Sequence, residues 1–139
     1  MTDLGFEILP HTADTRMRVW GKKLEELFRN ALRGVAYYLK PVSLDLAGKI
    51  KQKVKVEAAD ISSLLVEFLS EVIAQSDVHN AIFTKVTFKK FGDNFLEAVL
   101  TGAKVDGFDK EIKAVSYHEV NIKKNPETGM YETVLVFDI

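Results

Sequence analysis

The chain has 139 residues, 47% hydrophobic and 28% charged, with a formal net charge of -1 from 19 basic and 20 acidic residues. This is the length and make-up of one globular domain, able to bury about two-thirds of its unfolded surface. Charge balance argues against strong direct nucleic-acid binding by bulk charge, and the lack of cysteine excludes disulfides, thiolate zinc sites and cysteine nucleophiles.

No apolar run approaches the roughly 20 residues that span a membrane. The first residues lack the basic flank and apolar segment of a secretory signal, so a cytoplasmic protein without a membrane role is expected. In chain order, Leu4 to Ile8 and Arg16 to Trp20 read as two strands around the polar segment His11-Thr12-Ala13-Asp14, which follows Pro10. Leu24, Leu27, Phe28, Ala31, Leu32, Val35, Ala36 and Leu39 then repeat at helical spacing, and Pro41 ends the helix. Ile50, Gln52, Val54 and Val56 alternate with Lys49, Lys51, Lys53, Lys55 and Glu57, as on a half-buried strand with a lysine-lined outer face.

A second helix is predicted from Ile61, Leu64, Leu65, Phe68, Leu69, Val72 and Ile73, with Asp60 placed to cap its free N–H groups and His79 beyond its end. Phe83 to Phe91 and Phe95 to Leu100 form a hairpin around Gly92-Asp93-Asn94. Ile112 to Lys123 and Met130 to Asp138 are two more strands, turned by Asn125 to Gly129. The order predicts an α+β fold: two amphipathic helices packed on a mainly antiparallel sheet, in one compact domain over 1–139.

Several residues have the chemistry of a site. His11, Thr12 and Asp14 form either a ligand loop held by rigid strands or a turn stabilised by its own side chains. On an alternating strand His118 shares a face with Ile112, Ala114, Ser116, Val120 and Ile122, so its ring is expected to be mostly buried. It is either a core histidine or a catalytic one. His11, Asp14 and His118 have the types needed for a base and its orienting carboxylate, so a small metal-dependent hydrolase is one reading. No nucleophile elbow supports it.

Asp138 precedes Ile139, so a side-chain carboxylate and a terminal carboxylate lie one residue apart. If Asp14 came near, three carboxylates would repel unless a cation compensated, and calcium or magnesium favours such oxygen shells. A terminus that reaches nothing is the alternative. The lysine run reads as protection of an edge strand or as an RNA-contacting face. Phe83, Phe88, Phe91 and Phe95 read as core rather than as base-stacking platforms.

The order His11-Thr12-Ala13-Asp14, Val19-Trp20-Gly21, Lys113 to His118 and closing Phe137-Asp138-Ile139 resembles the archease family over almost the whole chain. The resemblance implies a non-catalytic activator of a GTP-dependent tRNA-splicing RNA ligase. Such a protein promotes ligase guanylylation and multiple turnover. It also implies a divalent cation, calcium in the first instance with magnesium or manganese as alternatives, held at Asp14, Asp138 and Ile139. His11, Thr12 and His118 would lie nearby, as supports or partner contacts. A chaperone or modulator of a tRNA methyltransferase is the family's other reading. Two departures stand out: Thr15 and Arg16 replace a small apolar residue and glycine, and 102–110 lacks the family's Lys-His pair.

Overall fold

Residues 4–11, 13–43 and 45–139 are described by a computed structural model. In chain order its elements are β1 (Phe6–Pro10), β2 (Thr15–Gly21), α1 (Leu24–Leu39), β3 (Pro41–Val42), β4 (Asp45–Glu57) and α2 (Ile61–His79). There follow β5 (Ala81–Phe91), β6 (Phe95–Lys104), β7 (Gly107–Phe108), β8 (Ala114–Ser116), β9 (Lys123–Lys124) and β10 (Tyr131–Asp138).

The predicted α+β class holds, with the sheet divided in two. β1-β2-β10-β8, with β9 also on β10, make five strands; β4-β6-β5 make three; β3 and β7 form a small ribbon. All of these pairings are antiparallel. The helices lie between the two larger sheets. α1 touches β1, β2 and β10 on one side and β5 on the other, while α2 touches β4, β5, β6 and β8. Each apolar stripe therefore has a sheet to cover it.

Local chemistry sets the helix limits. α1 ends with Lys40 in the left-handed region, one residue before Pro41. Its last carbonyls are answered by Asp109 N–H to Lys40 O (2.9 Å) and Lys110 N–H to Leu39 O (3.2 Å). Asp60 caps α2 as expected, its Oδ1 accepting from Ser63 N–H at 2.8 Å. That bond holds its carboxyl below the ordinary range. α2 runs past Ile73 to His79, so His79 is its last residue rather than a residue beyond it. His79 Nε2 lies 3.1 Å from Gln75 Oε1, one turn back.

The core is largely aromatic. Phe28 packs against Phe68 (ring centroids 5.7 Å) and edge-on to Phe91 (5.0 Å), which in turn meets Phe88 (5.0 Å). Phe83 is buried, but Phe95, at the hairpin turn, is exposed, unlike the core position expected of it. Gly34 lets α1 approach the five-stranded sheet: a Cβ there would collide with the buried Met17 side chain and crowd Phe6.

The strand expected over Ile112 to Lys123 is broken. Only Ala114–Ser116 and Lys123–Lys124 pair, and Glu119 has φ 68°. Side chains replace the missing ladder. Ser116 Oγ accepts from His118 N–H (2.9 Å), Thr133 Oγ1 from Asn121 N–H (2.9 Å) and Ser62 Oγ from Ile122 N–H (3.0 Å). With the alternation interrupted, Val115 rather than Ala114 faces the core.

Candidate metal centre at the end of the five-stranded sheet

Strand register builds the site. β2 and β10 pair from Gly21↔Tyr131 to Thr15↔Phe137. Thr15↔Phe137 is the last pair, and Asp14 and Asp138 are the next residues along the two chains, Asp14 in the turn before β2. Thr15 and Phe137 are buried, and Asp138, the next residue of β10, is exposed. β8 closes the third side: Asp138 pairs with Ala114, and its carbonyl accepts Lys113 N–H at 2.7 Å. Ile139 follows, exposed.

Asp14 is the shielded member, its side chain 21% accessible. Its Oδ1 is buried and receives no hydrogen bond. His11 Nδ1 lies at 3.5 Å and Arg16 Nε at 3.7 Å, close enough for charge attraction but too far for good hydrogen bonds. A buried carboxylate oxygen that receives no hydrogen bond could serve a hard cation that binds through oxygen, although Arg16 Nε, itself without a hydrogen bond, already faces it. Among the described residues no three His, Asp or Glu side chains converge as a metal cluster, so main-chain or terminal oxygens would have to complete a shell.

The remaining expected residues are placed as follows. His11 is brought to Asp14, and Thr12 lies outside the described residues. His118 is exposed in the turn after β8, not buried on an apolar face. The expectation fails because the strand ends at Ser116. No described hydrogen bond or ion pair joins His118 to His11 or Asp14, which leaves the hydrolase reading without its constellation.

Two arginines to which the motif reading gave no role, Arg16 and Arg18, matter more. Arg16 lies between acids, its Nη1 donating to Glu119 Oε2 while its Nε leans on Asp14. Two residues along, Arg18 Nη2 donates to Glu132 Oε2 at 2.7 Å and Asn125 Nδ2 to Glu132 Oε1 at 2.9 Å. Those two bonds, the arginine's first, hold the Glu132 carboxyl below the ordinary range. The signal was present in the alternation of Arg16 and Arg18 with Met17 and Val19, which puts both arginines on the open face.

Residues 6–139 match the model of the archease protein family (MTH1598/TM1083). The chain belongs to the archease family. It is 34% identical to the protein archease of Pyrococcus abyssi over 96% of this chain and 98% of that one. It is 30% identical to the protein archease of Methanosarcina mazei over 96% and 95%. Among solved structures, that of Methanobacterium thermoautotrophicum protein 1598 superposes with a TM-score of 0.73, at 24% identity over 99% of this chain and all of the other. An archease of Thermotoga maritima, described as a possible chaperone, gives 0.68 at 20% identity over 94% of each chain. Both structural likenesses speak to the fold. Against the family pattern, Arg16 is the departure with a consequence: it sets a fixed cation beside the oxygen that a metal would use.

Proposed function

We propose that this protein is a non-catalytic activator of a GTP-dependent tRNA-splicing RNA ligase, promoting ligase guanylylation and repeated turnover through a divalent cation at Asp14, Asp138 and Ile139. The observation that supports the reading is the buried Asp14 Oδ1 that receives no hydrogen bond, in the turn next to the β2–β10 pair that ends at Thr15 and Phe137. When bound, a calcium, magnesium or manganese ion would neutralise the two acids and supply a hard positive charge.

The chain's own residues prepare that end. β10 carries Asp138 to the rim, and the Lys113–Asp138 hydrogen bond fixes the last backbone turn. His11 and Arg16 both lie against Asp14 Oδ1, and the Arg16 charge competes there with a bound cation.

The test is formation of the ligase–guanylate adduct from labelled GTP, with and without this protein. Stimulation by the protein, lost in Asp14→Ala and Asp138→Ala, supports the reading. No stimulation by the intact protein overturns it. The Thermotoga structure is described as a possible chaperone, which agrees with a second reading; the family resemblance, not that description, suggests a tRNA methyltransferase as the client. That reading predicts a change in the solubility or specificity of the methyltransferase and no effect on guanylylation.

A further inference from the structure

The outer face of the three-stranded sheet is a cationic platform. Residues paired across strands project to the same side, and the register gives successive rows Lys49–Ala103–Ile82, Lys51–Thr101–Lys85 and Lys53–Val99–Thr87, then Lys55–Glu97–Lys90. The opposite rows hold Val54, Ala98 and Phe88, then Gln52, Leu100 and Val86, which turn toward the helices. Of the lysines in these rows only Lys55 has an ion pair among the described residues, with Glu97 at 3.7 Å. In a chain of net charge -1, cations are thus collected on one surface, with Glu97 the one carboxylate in these rows.

Edge-strand protection accounts for lysines on β4 and β5, which are both edges. It does not account for what lies beside them. At the Lys49–Lys51 end the sheet meets α1 in a largely apolar groove of about 780 Å³ whose polar lining includes Lys49, Lys51, Lys85, Arg33 and Tyr37, with no carboxylate among its described lining residues. The Tyr37 ring is 66% exposed and is backed by Phe6, ring centroids 5.7 Å apart. Gly102 opens the floor: its Cβ would run into the backbone at Ile82.

We infer that this groove binds a single-stranded stretch of RNA, its phosphates along Lys49, Lys51 and Lys85 and a base on the Tyr37 ring. Lysines on alternate residues recur about every 6.6 Å along a strand, a pitch suited to a polyanion of closely spaced phosphates. An exposed aromatic ring beside a cationic track is the arrangement that holds unpaired bases, whose faces a duplex hides. An acidic peptide would use the lysines and leave the ring idle. Neutral overall charge makes the binding weak and salt-sensitive, which agrees with the composition. The inference stands apart from the acidic end and does not depend on the ligase.

The test is fluorescence anisotropy of a labelled single-stranded oligoadenylate with the full chain, with duplex RNA, polyglutamate and phosphatidylserine vesicles as competitors. Three phosphate contacts give a slope of about -2 for log affinity against log salt. Tyr37→Ala weakens binding about tenfold. Joint Lys51→Glu and Lys85→Glu remove it, with circular dichroism and melting unchanged because these side chains are exposed. Free oligoadenylate should outcompete duplex RNA, polyglutamate and vesicles alike. A competitor that matches the oligoadenylate overturns the inference, as does a Tyr37→Ala or a double-lysine variant that binds like the parent.

Discussion

Just past the Thr15–Phe137 pair of β2 and β10 come Asp14 and Asp138. Across the outer face of the other sheet, the residues flanking β6 are Lys51 and Lys85, then Lys55 and Lys90. Both sheets are antiparallel, and both bury one face against the same two helices. They differ in where charge is concentrated. The two acids are confined to one rim of the sheet, so they suit a small partner. The lysines spread over a face, so they suit an extended partner. A near-neutral sequence can thus carry two oppositely charged surfaces, because alternation on a strand sends charge to one side without regard to the total.

The sharpest way to break this comparison is at the acids. Asp14→Ala and Asp138→Ala should each reduce calcium affinity by about a hundredfold or more, since each removes a charged oxygen ligand. Melting temperature should hardly move, and oligoadenylate binding should stay at the parental level. Calorimetry and anisotropy on the same samples check both halves. Loss of RNA binding in the acid variants would show that the two surfaces are not independent.

Gly34→Ala tests the helix that both regions share. The added methyl must displace the buried Met17, at a cost of about 1–3 kcal/mol typical of overpacking. Denaturant unfolding measures it. The loss should be global, lowering the stability of both sheets together, because α1 touches β2 and β5 alike.

Arg16→Ala should sharpen the acidic end. Removing a cation 3.7 Å from Asp14 Oδ1 lets a divalent ion bind about fivefold more tightly, an effect limited by the partial exposure of the pair. A calcium titration reads it directly, and weaker binding would mean that Arg16 mainly holds Asp14 in place.

The smallest effect expected is at Arg18–Glu132. The Glu132 carboxyl lies lower in the folded state than in the unfolded chain. Its stabilisation is therefore complete above the ordinary glutamate range and is lost as pH falls through the lowered folded value. Arg18→Ala should remove that acid-range contribution, about 1 kcal/mol or less for so exposed a pair, as seen in melts across acid pH.

Much of this was legible in the residues. The two helices announce themselves through periodicity, Asp60 caps where a cap was expected, and alternation from Lys49 to Glu57 gives the lysine face. The fault lies at 112–123. His118 was assigned inward by extending alternation through a segment with no glycine or proline to mark a break. The break is made instead by Glu119 in a left-handed conformation and by the distant hydroxyls of Ser62 and Thr133. Long-range bonds of that kind leave no local signal. The split into two sheets was hidden for the same reason, since strand pairing over long separations is not written in any one window. The Arg16–Glu119 pair, 103 residues apart, could not be read from spacing either.

The measurement closest to the central claim is a calcium titration of this protein beside the same protein with residues appended after Ile139. The account predicts one calcium bound by the parent and at least about tenfold weaker binding by the extended form, because the terminal carboxylate is carried away from Asp14 and Asp138. Equal calcium affinity in the two forms, or none in the parent, would contradict it.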